Sequence, residues 1–288
     1  MAVHNVAVAG FGEGTNELYD RARPSYPAAA LQFIKKELPD SPLTIVEAGS
    51  GTGIFSRLLL SPPNPEYPRF DVKTLAAVEP SSGMRAAFEK GLAKVPKQDL
   101  EGKNVITVDG GFDDFSNSGV AKGDADAVVI AQAFHWCPDY QKALTEIAEY
   151  LKPGAPLILI WNLEQNQDEW HQALRDLYQP LDQGSPQYYR GGWKKLYDTD
   201  AYKSLFEPAQ IEQFPWHMGM TEEGIRDRIF SKSYLTENNL KGQEREDFEK
   251  KLRQLIASDG PGKEYIDKDA GIIKYRYNTD LVIMRKRK

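Results

Sequence analysis

The chain has 288 residues, 41% hydrophobic and 27% charged, with a net charge of -6, which suits one large α/β domain or a core with a cap. The acidic balance, relieved only by the tail Arg285-Lys286-Arg287-Lys288, argues against a nucleic-acid substrate, and no apolar run approaches the roughly 18 residues of a membrane span. One cysteine, Cys137, excludes an internal disulfide and a Cys-rich zinc site, and without a signal-peptide pattern at the N-terminus the expectation is a cytoplasmic protein, a monomer or weak homodimer, that takes a small-molecule substrate and no metal.

Residues 1–38 read as an N-terminal lid segment and a first helix. Within them Ala7-Val8-Ala9-Gly10-Phe11-Gly12-Glu13-Gly14 resembles a strand and glycine turn. Pro24 cuts off the helix that would have to follow, so this stretch is read as a flexible lead-in. From 39 to 162 strand-like and helix-like segments alternate, the pattern of a doubly wound sheet. Leu43–Glu47 is the first strand and Gly53–Leu60 a short helix stopped by Pro62-Pro63. Val72–Glu79 is the second strand, followed by a helix over Ser81–Val95 with Ser81 as N-cap. Asn104–Asp109 and the wholly apolar Ala125–Ala131 are the third and fourth strands. Tyr140–Leu151 is an amphipathic helix closed by Lys152-Pro153-Gly154, and Pro156–Trp161 is the fifth strand.

Beyond 162 the alternation breaks down. Ile211–Trp216 reads as a sixth strand and Ile272–Met284 as a long last strand paired antiparallel with it, so 211–216 and 271–288 complete the core. Residues 163–210 and 217–270, the latter with helical patterning over Thr221–Tyr234 and Gln243–Ser258, are read as cap insertions. The expected fold is a Rossmann-like, seven-stranded, mostly parallel sheet with an antiparallel last strand, helices on both faces, and a helical cap.

The stretch Ile45-Val46-Glu47-Ala48-Gly49-Ser50-Gly51-Thr52-Gly53 carries the most chemistry. An apolar strand, a glycine turn and a helix start wire a nucleotide-cofactor site. A dinucleotide fingerprint puts glycines at relative positions 1, 3 and 6; here they fall at 1, 3 and 5, with Ile54 at the sixth. Glu79, at the end of the second strand in Val78-Glu79-Pro80, can accept both hydroxyls of a ribose. Met84 can pack on a purine. Asp109 or Gly110 can meet its amino group while Phe112 or Phe115 covers the ring. The fourth strand ends in Gln132-Ala133-Phe134-His135-Trp136, at the carboxyl edge where ligands sit in such sheets.

The glycine spacing with Glu47 before it resembles the first motif of class I S-adenosylmethionine-dependent methyltransferases. Together with Tyr19-Asp20-Arg21-Ala22-Arg23-Pro24-Ser25-Tyr26-Pro27, Glu79, Gln132–Trp136 and Leu151–Gly154, it resembles the small-molecule family that includes trans-aconitate methyltransferases and the fungal cantharidin-detoxifying enzymes. Ser231-Lys232-Ser233-Tyr234 resembles a segment that faces the substrate in that family. The resemblance implies S-adenosyl-L-methionine as cofactor, S-adenosyl-L-homocysteine as product, and a site closed by Tyr19, Arg23 and Tyr26. The cofactor would lie against Glu47, Ala48, Gly49, Ser50, Gly51, Thr52, Gly53, Glu79, Pro80, Met84, Asp109, Gly110, Phe112, Gln132, Ala133 and Phe134. Its carboxylate would meet backbone N–H groups, and its ammonium Glu47 or the Gly49 carbonyl.

His135, Arg23 and Tyr19 are the expected catalytic residues. His135, Trp136, Trp161, Arg190, Trp193, Ser233 and Tyr234 are expected at the substrate, in a pocket made organic by Trp161, Trp170, Tyr188, Tyr189, Trp193 and Trp216. The expected reaction is O-methylation. A carboxylate needs only Arg23, Arg190 and His135 to hold it, whereas a hydroxyl or thiol needs a base, for which His135 is the candidate. N- or S-methylation and a non-catalytic cofactor-binding role are the alternatives, and a nicotinamide-dependent oxidoreductase is disfavoured by the glycine spacing.

Overall fold

Strands made almost wholly of Val, Ile, Leu and Ala are stable only with helices on both faces. β1 (Leu43–Ala48), β2 (Val72–Val78) and β4 (Ala127–Ala131) are such strands. In the computed structural model of the protein, which describes residues 16–288, they form the middle of one sheet. β3 (Asn104–Val108), β5 (Pro156–Glu164), β6 (Gln210–Met220) and β8 (Ile272–Arg285) complete it in the order β3-β2-β1-β4-β5-β8-β6. The first five strands pair in parallel, and β8 runs antiparallel between β5 and β6. A three-residue strand, β7 (Tyr265–Asp267), adds to β8. The expected sheet is therefore present, with one short strand more. Residues 7–14 lie outside the described residues.

The helices that cover the sheet are α2 (Ala28–Glu37), α3 (Ile54–Leu60), α4 (Ser82–Leu92), the single turn α5 (Lys97–Leu100) and α6 (Tyr140–Tyr150). Ser81 caps α4 as its sequence predicts, its hydroxyl accepting from the Met84 N–H at 3.3 Å. Apolar side chains on the two faces of β1 and β4 build two separate cores. Val46, Val128 and Ile130 pack toward α6, while Ile45, Ala127 and Val129 pack toward α2 and α3.

The last strands run longer than their sequence suggests. β6 continues four residues past Trp216, and β5 three past Trp161. The reason is β8, whose 14 residues pair with β6 from Gln210↔Ile283 to Met220↔Ile273 and with β5 as far as Glu164↔Tyr277. One face of β6 is exposed, so its alternating polar residues conceal the strand. α7 (Glu169–Tyr178), α9 (Glu222–Phe230) and α10 (Gly242–Ala257) pack on this extension around a third core that contains Trp170, Ile229, Leu252 and Tyr275. α8 (Asp200–Leu205) lies against α6 instead. Among the described residues no helix is long and apolar enough to cross a membrane.

The lid segment carries a helix of its own, α1 (Asn16–Ala22), which bridges core and cap. Asp20 accepts from the Thr52 hydroxyl at 2.9 Å and from Arg57 at 2.6 Å, both beside the glycine turn. Arg21 pairs with Asp227 of α9 at 2.9 Å. Asp20→Ala removes the core side of this bridge. Limited proteolysis should then cleave near residue 20 several-fold faster, with the melting temperature shifted by only a few degrees, because partly exposed pairs contribute about 1 kcal/mol or less.

Candidate active site

The turn after β1 has positive φ at Gly49 (67°), Gly51 (56°) and Gly53 (80°). The three glycines are there for different reasons. A Cβ on Gly49 would stand 2.7 Å from the Ala133 Cβ, and one on Gly53 2.6 Å from the Phe88 ring, whereas a Cβ on Gly51 meets nothing within 4 Å. Gly49 and Gly53 are packed turn positions. Gly51 is the place where backbone lies open for close approach by another molecule. Its N–H donates to Glu79 at 3.0 Å, and the Ser81 N–H donates to the other carboxyl oxygen at 2.9 Å. Burial raises the Glu79 pKa. Two of the four acceptor positions of an ionised carboxylate are thus used and two remain.

Two cavities border this turn, and a third shares lining residues with both. The largest, about 480 Å³, is lined by Gly49, Gly51, Glu79, Pro80, Met84, Asp109, Gly110, Phe112 and Ala133. A recess of about 40 Å³ lies between Arg23, Tyr26, Glu47, Ser50 and Thr52. Glu47 there is buried and accepts from the Ser56 hydroxyl, and burial pushes its pKa up to about 8. The buried Ser50 hydroxyl has no hydrogen-bond partner among the described residues. The third cavity, about 180 Å³, opens between the sheet edge and the cap. Tyr19 and Gln132 line all three. Gln132 holds φ at 59°, a left-handed conformation that side chains other than glycine rarely adopt, and its amide donates to the Asn162 carbonyl at 2.9 Å. Strain of this kind persists where the surroundings over-determine it.

The third cavity is cationic. Arg23, Arg175, Arg228 and Lys232 line it against one carboxylate, Glu164. Glu164 is held by Arg228 at 3.1 Å, by Lys232 at 2.7 Å and by the Tyr178 hydroxyl. Burial opposes its charge, but Arg228 and Lys232 outweigh burial and hold the carboxyl below its usual range. Arg23 has no carboxylate at ion-pair distance among the described residues. It donates to the Ser231 carbonyl at 2.9 Å and lies 4.6 Å from the Tyr19 ring centre, while its buried Nε has no partner among the described residues. Burial lowers its pKa. His135, also on this cavity, is pushed down to about 3 by burial and by Arg23, so its imidazole is neutral. Its Nδ1 accepts from the Trp161 indole N–H at 3.2 Å.

The sequence profile described as a methyltransferase domain matches residues 19–212. The chain belongs to that methyltransferase domain family. An uncharacterized methyltransferase of Mycobacterium tuberculosis is 28% identical over 244 residues, covering 83% of each chain. One from Schizosaccharomyces pombe is 25% identical over 280 residues, or 92% of this chain and 94% of that one. The crystal structure of the YcgJ protein from Bacillus subtilis shares the fold, with a TM-score of 0.51, 16% identity, and coverage of 89% of this chain and 97% of that one. This protein is an S-adenosylmethionine-dependent methyltransferase by class.

Of the expected site residues, Tyr19, Arg23, Tyr26, Glu47, Gly49, Ser50, Gly51, Thr52, Glu79, Pro80, Met84, Asp109, Gly110, Phe112, Gln132 and Ala133 border the first two cavities of the methyltransferase. Tyr19, Arg23, His135, Trp136, Ser233 and Tyr234 border the third. Several expected residues lie elsewhere. Ala48 and Phe134 are core residues, Phe134 set edge-on to Phe112 at 5.6 Å, and Phe115 is fully buried. Gly53 lies behind the turn against Phe88. Arg190 spends its guanidinium on Asp182 at 2.6 and 2.7 Å, at the surface. Trp161 and Trp193 pack against each other, tilted, with ring centres 4.8 Å apart, and do not line the cavity. Trp170 fills the cap core and Trp216 stacks on Tyr277, so of the six aromatics only Tyr188 and Tyr189 face the pocket. A His135 base is also disfavoured, because the Nδ1 lone pair is occupied.

Glu164, Arg175 and Arg228 escaped the sequence reading as site residues of the methyltransferase, and Lys232 entered it only as part of the segment 231–234. Arg228 did leave a signal: it interrupts the apolar stripe Ile225, Ile229, Phe230 of α9, and a charge on a buried helix face requires a partner. The glycine turn supplies a paired test. Gly51→Ala imposes only the left-handed conformation on a residue with Cβ, at about 1–2 kcal/mol, but projects a methyl into the cavity. It should stay folded and lose S-adenosylhomocysteine binding by calorimetry. Gly53→Ala adds the clash with Phe88 and should unfold at a clearly lower temperature than Gly51→Ala.

Proposed function

We propose that the enzyme methylates an oxygen of a small anionic acceptor, a carboxylate, bound in the cationic cavity between sheet and cap. The observation that carries this reading is Arg23, a partly buried cation whose Nε is shut off from solvent and which has no carboxylate at ion-pair distance among the described residues. A buried charge without a counter-charge is costly, and an anionic ligand supplies one. S-adenosylmethionine would contribute a methyl already activated as a sulfonium, which a carboxylate oxygen takes in line without a general base. The protein's task is then to hold, align and exclude water.

The residues present suit that cofactor. Glu79 keeps two acceptor positions for ribose hydroxyls, and Met84 and Phe112 offer apolar walls to the adenine. Gly51 provides open backbone for the methionine end, with Glu47 in the adjoining recess for its ammonium. Arg23 and Tyr19 stand where recess and cationic cavity join. The segment Tyr19–Pro27 supports the narrower kinship with the trans-aconitate and cantharidin-detoxifying methyltransferases.

Two tests follow. With radiolabelled S-adenosylmethionine and a panel of small acids and alcohols, the labelled product should release methanol in mild alkali, as a methyl ester does; an alkali-stable product overturns the carboxylate reading. Arg23→Met should raise the acceptor KM by roughly 10- to 100-fold, the range for a lost charged hydrogen bond, with S-adenosylhomocysteine affinity changed less. Glu47 sets the second. A neighbouring ammonium favours its ionised form, so binding expels a proton at any pH below about 8. Affinity for S-adenosylhomocysteine should therefore rise from pH 5.5 to 7.5, by at most tenfold per pH unit, and Glu47→Gln should flatten the curve.

A further inference from the structure

Trp161 was expected to touch substrate; its position gives it a different task. It is fully buried on β5, and its indole N–H points at Nδ1 of His135, 3.2 Å away. An indole nitrogen only donates. Nδ1 must therefore carry the lone pair, and the ring hydrogen sits on Nε2. The indole is itself clamped: the Trp193 ring centre is 4.8 Å away, the Tyr188 ring 4.9 Å away, and those two rings stack on each other at 5.3 Å and 21°. The Tyr188 hydroxyl is in turn anchored on Asp280 of β8.

We propose that Trp161 is a positioning residue that locks His135 as its Nε2–H tautomer, so that the acceptor cavity meets His135 only as a hydrogen-bond donor and selects an ionised oxygen acid over a hydroxyl. This rests on the reading that the acceptor enters the cationic cavity. A hydroxyl acceptor needs a lone pair to take its proton, and the imidazole has none to spare. A carboxylate needs the opposite, a donor. The groups around the ring work in the same direction. Arg23 from the N-terminal segment opposes an imidazolium; Arg175 from α7, and Arg228 and Lys232 from α9 and the turn after it, line the same cavity, and Glu164 of β5 is already paired with the last two. Tyr19, Tyr178, Tyr188, Tyr189 and Tyr234 also line the cavity, and burial raises the pKa of the last four phenols.

The tautomer is directly readable by nitrogen–proton correlation NMR on histidine-labelled protein with S-adenosylhomocysteine bound. The chain has four histidines, and His135→Gln assigns the signal. The expected result is an Nε2–H imidazole unchanged from pH 5.5 to 8; an Nδ1–H tautomer, or an imidazolium within that range, overturns the proposal. Acetate at constant ionic strength should move the Nε2 signal saturably while ethanol does not; an equal response to both overturns the selectivity. Trp161→Phe keeps a ring and removes the donor. It should mix the tautomers and weaken acetate severalfold at pH 8. The weakening should be the same at pH 5.5, because burial and Arg23 still keep the ring neutral. A folded Trp161→Phe with an unmixed tautomer and unaltered acetate affinity overturns the lock. Should that variant not fold, the wild-type tautomer and acetate response still decide. An alkali-stable product alongside an intact Nε2–H signal would refute the carboxylate reading while leaving the tautomer assignment standing.

Discussion

Arg23 is kept out of water by the N-terminal segment on one side and the cap on the other, and the site is organised around that fact. Removing a guanidinium from water costs several kcal/mol unless its hydrogen bonds and charge are answered. The fold answers part of that cost through the Ser231 carbonyl and the Tyr19 ring, and leaves Nε unanswered. Arg228 and Lys232 make the contrast clear. They are buried more deeply than Arg23, but both are bound to Glu164, which burial would otherwise keep protonated. Arg23, by contrast, stands without a carboxylate partner among the described residues at the point where the recess and the cationic cavity meet.

The cap can be that close to the sheet because β8 is long. Its 14 residues pair with β5 and β6 and carry Tyr275 and Tyr277 past the end of the parallel strands, where α7, α9 and α10 collect around them. The cap thus has an apolar core of its own and does not depend on a ligand for its packing. What it contributes to the site is a set of polar ends: Tyr178 at the end of α7, Arg228 on α9 and Lys232 just after it. The carboxyl edge of β4 and β5 supplies the opposing wall through Gln132, His135, Asn162 and Glu164.

Much of the cofactor side was legible because its determinants are local. Three glycines within five residues, an acid closing the next strand and an N-cap serine after it each specify a backbone conformation by themselves. Each is found in that conformation, with Gly51, Glu79 and Ser81 joined through two hydrogen bonds. The misassignments were residues whose chemistry was judged without their partners. Arg190 reads as a free cation until Asp182 is seen beside it, and Trp161 and Trp193 read as pocket walls until they are seen packed against each other behind one.

From the sequence alone, the order of strands and helices, the glycine turn, the acid at Glu79 and the N-terminal Tyr-Arg-Tyr segment were readable, since each is set by neighbours within a few residues. Only the tertiary structure decided which cations are paired, which aromatics face the cavity and which nitrogen of His135 holds its hydrogen. Those depend on Glu164 meeting Lys232 across 68 positions and Trp161 meeting His135 across 26. A hydrogen bond or ion pair is settled by distance and burial in space, and neither is written in the spacing of residues along the chain.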